Sequence, residues 1–396
     1  MARRLQRLVL VVLPAAALAT VVAAALVEVW VRQQWDDRRG TPGFYVHDAV
    51  LGQRLNAGYE GWFAGVPVRI NALGFRDTRE YSLIKSPNTF RILVLGDSVT
   101  FGHGALFETT YPYLVEQRLK AWRRDVNWEV WNLGVPGYNT ADELAYLQEV
   151  HSRFQPDLVV VGWFPNDITF SMPPQRPGRF RRAAAAVRRG LQRNFYSYEF
   201  YRRSLMTLRW RLMSVEDRTA MELLAEADNL VKRVDRLADA DEQRIGDVDY
   251  FDDQQIRDFA CPKWGPVDGG GGIRASLRDG GPAVTAWMAA VREFQRMHRE
   301  GEQRIMFFLN LAPVVCQTQD RFHDGGSLAE DDALQAIMGK DTPVASTTRA
   351  FLHHRPSQMP AASGHALGNA NRVKADVLAE YLQSTVLPPL LSEKFK

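Results

Sequence analysis

The chain has 396 residues, 46% of them apolar and 24% charged, with 10 Trp and 20 Phe available for a core. That length allows one large domain with insertions or two domains, and the composition is that of a globular protein. The formal net charge of +3 excludes a global nucleic-acid signal, so any electrostatic argument has to be local.

The first thirty residues are not globular. Arg3, Arg4 and Arg7 precede Leu8–Val27, twenty residues without a charge and with Thr20 as the polar interruption. As a helix this run spans the ~30 Å hydrocarbon core. The arginines keep the amino end in the cytoplasm. The expected organisation is a cytoplasmic stub at 1–7 and a transmembrane anchor at 8–30. Cleavage as a signal peptide at the small residues Ala23–Ala25 is the alternative, but the apolar run exceeds the 7–15 residues of a signal-peptide core. Either reading places the rest of the chain outside the cytoplasm. There, Cys261 and Cys316 are permitted to pair, and no CxxC or His cluster accompanies them to suggest zinc.

Residues 31–88 read as a juxtamembrane segment of short strands and turns. From 89 the rhythm changes. Arg91–Leu95 is a β-rich run, Tyr111–Trp122 has helical spacing, Trp128–Leu133 is a second strand, Ala141–His151 a helix, and Asp157–Trp163 (DLVVVGW) a continuous apolar strand. Unalternating strands interleaved with helices predict a parallel sheet covered on both faces. The rhythm stops over 173–282, a basic, mainly helical insertion with a glycine loop at Gly269–Gly272. It returns with a helix at Val284–His298 and a strand at Arg304–Asn310, and continues over 283–396. Residues 313–364 read as mostly irregular, and Asn369–Thr385 as a terminal helix.

The chemistry-bearing residues lie where the strands end. The first strand runs into Gly96-Asp97-Ser98, and ligands of doubly wound sheets bind outside the carboxyl ends of the strands. A serine hydroxyl needs a base within hydrogen-bond reach and donors for its oxyanion. The α/β-hydrolase elbow is not met, since position 100 is Thr, and neither a dinucleotide fingerprint nor a P-loop is present. The second strand leads into Asn132-Leu-Gly-Val-Pro-Gly137-Tyr-Asn139, and the third into Phe164-Pro165-Asn166-Asp167. Gly137 offers an unobstructed backbone N–H and Asn166 a side-chain N–H; a simple turn residue and a helix cap are the bland readings of the two. Of eight histidines, at 47, 103, 151, 298, 323, 353, 354 and 365, His365 lies directly before the terminal helix, where it can fold back over the sheet edge as a base.

In this order the four elements resemble the SGNH (GDSL-type) hydrolases, over about 89–172 and 284–390. The resemblance implies a three-layer α/β/α sandwich on a parallel sheet and acyl-ester chemistry without cofactor or metal. It implies Ser98 as nucleophile, His365 as general base and then acid, and an oxyanion hole of the Ser98 N–H, the Gly137 N–H and the Asn166 side chain. Two positions depart from the family pattern. Phe164 stands where a glycine is usual, and Ala362 and Ser363 stand where an aspartate is usual before the histidine. No acid occurs from Thr342 to Gly364, so Ser363, a backbone carbonyl, or a distant acid such as Asp324 or Asp341 would have to orient His365.

Between Arg176 and Arg211 there are eleven Arg and one acid, Glu199, interleaved with Phe180, Phe195, Tyr196, Tyr198, Phe200, Tyr201 and Trp210. Arginine with aromatics suits anionic headgroups or sugar rings, and is also what a solvated helix face or a lid over the site would look like. The expected function is a membrane-anchored, extracytoplasmic serine esterase acting on O-acyl groups of an envelope glycan or lipid. An O-acyltransferase of exopolysaccharide modification and a non-catalytic glycan-binding protein are the alternatives.

Overall fold

The computed structural model describes residues 8–36, 40–170, 178–212, 273–311, 313–316, 321–324, 326–355, 359, 361–362 and 365–395. Cys261 and the Gly269–Gly272 loop lie outside them. After a π-helical turn, Leu8–Val12, helix α1 runs from Leu13 to Gln34. The stretch Leu10–Gln34 is long and apolar enough to cross a membrane, with a mean hydropathy of 2.6 and none of its core window buried against the protein. Two small antiparallel hairpins follow: β1 (Tyr45–Asp48) with β2 (Gly52–Leu55), and β3 (Glu60–Phe63) with β4 (Val66–Arg69).

The sheet is built from β5 (Thr89–Gly96), β6 (Asn127–Gly134), β7 (Leu158–Trp163), β8 (Ile305–Leu309) and β11 (Val344–Ser346). All neighbours are parallel and the spatial order is β11-β8-β7-β5-β6. Every residue of β5, β7 and β8 is buried, which is why these strands read as unbroken apolar runs. Alternate side chains serve opposite faces. Leu93, Leu95, Val159 and Val161 join one core with α4 (Thr140–Phe154) and α9 (Pro282–Arg299). Ile92, Val94, Leu158 and Val160 join the other with α3 (Tyr111–Trp122) and α12 (Gly368–Tyr381). This is a three-layer α/β/α sandwich.

Between these elements lie α2 (Ser98–Phe101), α5 (Asn166–Phe170), the helices α6 (Arg179–Asn194) and α7 (Tyr196–Leu212), and α8 (Ile273–Asp279). The chain ends in α13 (Leu387–Lys394), which continues α12 after a π-helical turn.

The expectation of an irregular 313–364 is corrected. This stretch holds a hairpin of β9 (Val314–Cys316) and β10 (Arg321–His323), helix α10 (Ser327–Met338), edge strand β11 and the short α11 (Thr348–Phe351). β11 is three residues long, too short to show a period. α10 buries Leu334 and Met338 but also Asp331, a carboxyl that masks the apolar stripe.

The hairpins ahead of the sheet pack into its core rather than trailing from it. Phe44, Ile70 and Phe75 are buried in the same cluster as Leu93 and Trp131. Arg91, fully buried, ties the segment down: it donates to the carbonyls of Ser82, Leu83 and Phe154, pairs with Glu129 and lies over the Trp131 ring.

Candidate active site

With spatial order β6-β5-β7, the loops leaving β5 and β7 diverge at the topological switch point, where doubly wound sheets form their crevice. The registers Gly96↔Gly134 and Gly96↔Gly162 align the carboxyl ends of the three central strands. Ser98, Gly137 and Asn166 follow these glycines by two, three and four residues, so the three loops leave the sheet side by side.

The glycine row is the floor of the site. A Cβ at Gly96 or Gly162 would run into the Thr100 side chain, and one at Gly134 into the backbone of Phe101. The one-turn helix α2 thereby rests directly on the sheet with Ser98 at its start. Asp97 caps it, its Oδ1 accepting the Val99 N–H at 2.8 Å. The far side of the turn is held by Arg76, whose guanidinium is buried and donates to the carbonyls of Phe101 (2.8 Å), Gly102 (2.7 Å) and Ala105 (2.6 Å). Asn132 Nδ2 donates to the Thr100 carbonyl at 2.9 Å. Carbonyls that would otherwise be orphaned at a buried helix end are thus satisfied from two directions.

His365 begins the two-residue strand β13 (His365–Ala366), paired with β12 (Ala361–Ala362) just ahead of α12. Its Nε2 lies 2.7 Å from Ser98 Oγ, across 267 residues of chain. The sequence-predicted nucleophile and base are therefore in hydrogen-bond contact. Asn166 opens α5 and donates through Nδ2 to Asp97 Oδ2 at 2.9 Å, which fixes its amide beside the nucleophile turn. Gly137 sits in the turn between β6 and α4 with φ of +89°, in the left-handed region where glycine carries no steric cost. That turn is clamped from β2, where Gln53 Nε2 donates to the Pro136 carbonyl at 2.8 Å and the Gln53 carbonyl accepts the Tyr138 hydroxyl at 2.8 Å.

Two rings beside His365 were not singled out by the sequence, one stacked on it and one on that neighbour. His103 stacks on His365, ring centroids 4.6 Å apart and planes 26° from parallel, and Phe63 meets the far side of His103 edge-on. Burial, the charge of His365 and the Arg76 guanidinium together pull the His103 pKa down to about 3, so this ring is neutral throughout the working range. Asp324, considered for orienting the base, instead caps α10 by accepting the Leu328 N–H at 2.7 Å. Asp341 lies in a turn with φ of +64°.

Near Ser98 are three buried carboxyls, Asp97, Glu143 and Asp167. Burial raises the pKa of each, and mutual repulsion adds to the shift of Glu143 and Asp167. Lys374 on α12 is also buried, which lowers its pKa to about 8 against the opposing pull of Asp97. Among the described residues no group of three His, Cys, Asp or Glu is placed to hold a metal ion.

Residues 94–260 match the family model described as GDSL-like Lipase/Acylhydrolase. Comparison with curated proteins gives no match. Three similar solved structures are all of low identity. The acetylxylan esterase Axe2 of Geobacillus stearothermophilus (a catalytic mutant) is 12% identical, with 76% of this chain and 95% of that chain covered at a TM-score of 0.38. The lipase Lip_vut3 from a goat rumen metagenome is 14% identical, with 74% and 96% covered at 0.35. A two-domain esterase active on acetylated mannans is 11% identical at 0.35, covering 74% of this chain; the match spans about half (49%) of that esterase. The family match begins inside β5 and takes in the turns of Ser98, Gly137 and Asn166. Over residues 94–260 the chain carries a GDSL-like lipase/acylhydrolase domain, the domain of an ester hydrolase.

Proposed function

We propose that the protein is a membrane-anchored, extracytoplasmic serine esterase that removes short O-acyl groups from an envelope glycan or lipid through an acyl-Ser98 intermediate. The observation that carries this reading is the 2.7 Å contact between Ser98 Oγ and His365 Nε2 at the carboxyl end of the sheet. His365 Nε2 takes the Ser98 proton as Oγ attacks the ester carbonyl. The oxyanion is held by the N–H groups of Ser98 and Gly137 and by the Asn166 amide, which has a second hydrogen beyond the one given to Asp97. Collapse expels the alcohol, which leaves with the proton from His365. A water then gives its proton to His365 and attacks the acyl carbon, releasing the carboxylic acid and restoring the Ser98 hydroxyl. The apolar Leu10–Gln34 helix and the arginines before it support the anchor and its orientation.

The test is the full chain in detergent, with and without Ser98→Ala, treated with a fluorescent fluorophosphonate and assayed on p-nitrophenyl acetate. Labelling that vanishes in the variant, with turnover lower by at least ~10³-fold, is the expected result. Equal labelling of both proteins would remove Ser98 from the mechanism.

A further inference from the structure

Helices α6 and α7 form a hairpin with three properties that belong together. The first is its attachment. The Glu28 carboxylate on α1 accepts the backbone N–H groups of Tyr196 (3.0 Å) and Ser197 (2.9 Å) and the Ser197 hydroxyl (2.6 Å), so it caps α7. Arg32 donates to the Asn194 carbonyl at 2.7 Å, and Trp30 meets Phe200 edge-on at 6.1 Å. The hairpin bend is therefore fastened to the last two turns of the helix that is apolar enough to span a bilayer.

The second is an exposed apolar stripe. Phe180 is 93% exposed and Val187 66%, and with Leu191 they lie on one face of α6 at intervals of seven and four residues. The opposite face buries Ala185 and packs on β1, where Gln192 Oε1 accepts the His47 N–H. On α7, Leu205 is 67% and Leu208 53% exposed. The third is charge. Arg182, Arg188 and Arg193 are exposed on α6, which carries no acid, and the one acid of α7, Glu199, is already paired with Arg202 and Arg203.

We propose that this hairpin lies in the membrane interface, its apolar stripe among the acyl-chain ends and its arginines on anionic phospholipid headgroups. An amphipathic helix with arginine flanking a Phe/Leu/Val stripe gains from both contacts. Water offers the stripe neither, and its attachment to Glu28, Trp30 and Arg32 holds it at bilayer level. The occupant is a lipid surface, because the hairpin is continuous with the spanning helix. The inference rests on the reading of Leu10–Gln34 as a retained membrane span.

The test places nitroxide labels, one at a time, on the full chain with Cys261 and Cys316 replaced by serine. The sites are Leu18→Cys on α1, Val187→Cys and Leu208→Cys on the hairpin, and Ile84→Cys, 84% exposed and outside both elements, as a water reference. Each protein is reconstituted in nanodiscs of phosphatidylcholine with one quarter phosphatidylglycerol. Accessibility to oxygen and to a water-soluble nickel complex then gives each label's depth. Labels at 187 and 208 should be oxygen-accessible and nickel-excluded, like the label at 18 and unlike that at 84. They should become shallower when phosphatidylglycerol is omitted. If 18 is in the bilayer and 187 and 208 are as wet as 84, the hairpin proposal fails while the anchor stands. If 18 is itself in water, the anchor reading fails and takes the proposal with it. Nickel exclusion at 187 that needs added acidic polysaccharide and not lipid would assign the hairpin to a glycan and overturn the proposal.

Discussion

Gly162→Ala tests whether the glycine row holds the nucleophile. The backbone at 162 accepts alanine, since its φ is not in the left-handed region, so the whole effect comes from the added methyl. That methyl would overlap Thr100 Oγ1 and lie 2.6 Å from Tyr111 Oη, two hydroxyls hydrogen-bonded to each other at 2.8 Å. Relief to an ordinary contact needs a shift of about 0.6–1 Å, and overpacking of this kind costs about 1–3 kcal/mol. Thr100 is on α2, two residues after Ser98, so the shift passes to Ser98 Oγ and opens its 2.7 Å contact with His365. A misplacement approaching 1 Å costs up to about 10²-fold, so kcat/KM on p-nitrophenyl acetate should fall ~10- to 100-fold, with a melting temperature lower by about 3–10 °C. Thr100→Ala with Tyr111→Phe removes both obstructing hydroxyls. Added to Gly162→Ala, the pair should restore most of the activity, less about 1 kcal/mol of stability for the lost hydroxyl bond. A single variant as active as the parent, or a triple variant as poor as the single one, would refute the argument.

Two further outcomes follow from the surroundings of the site. An aromatic stack such as that of His103 on His365 is worth about 0.5–1.5 kcal/mol, so His103→Ala should lower kcat about 2- to 12-fold with KM little changed. His103→Phe should recover it; an alanine variant with full kcat removes His103 from the positioning of the base. Burial raises the pKa of Glu143 in the folded state, so its stabilising contribution is complete below the unfolded value near 4.5 and is lost as pH rises through the folded one. The melting temperature should therefore fall as pH rises above the unfolded value, and less steeply in Glu143→Gln. Parallel curves for the two proteins would show that Glu143 does not hold its proton.

What the sequence made legible follows from what each feature looks like in one dimension. β5, β7 and β8 are buried on both faces, so an apolar run suffices to find them, and a polar turn after each marks the sheet's carboxyl end. Ser98 and Asn166 could be placed on neighbouring loops for that reason, and Gly137 by the polar glycine turn that follows β6. His365 was legible through its position before α12. The glycine row was not, because Gly96, Gly134 and Gly162 become neighbours only through strand register. Nor was Arg76, whose three acceptors are all backbone carbonyls and leave no complementary residue to find. The same holds for His103, set in a Gly-His-Gly turn whose contact is a ring face from the other end of the chain. β11 failed through brevity.

The separation of 267 positions from Ser98 to His365 also sets an order of events during synthesis. The nucleophile turn, its glycine floor and Arg76 all precede residue 163, so the first half of the chain can assemble the serine's cradle. The base comes from the penultimate segment, and at about 5–20 residues per second it follows Ser98 by roughly 13–50 s. A chain still emerging thus carries a serine with no proton acceptor on Oγ, chemically an ordinary hydroxyl. On the proposed roles, a chain cut short before His365 carries Ser98 without its base and should hydrolyse no ester.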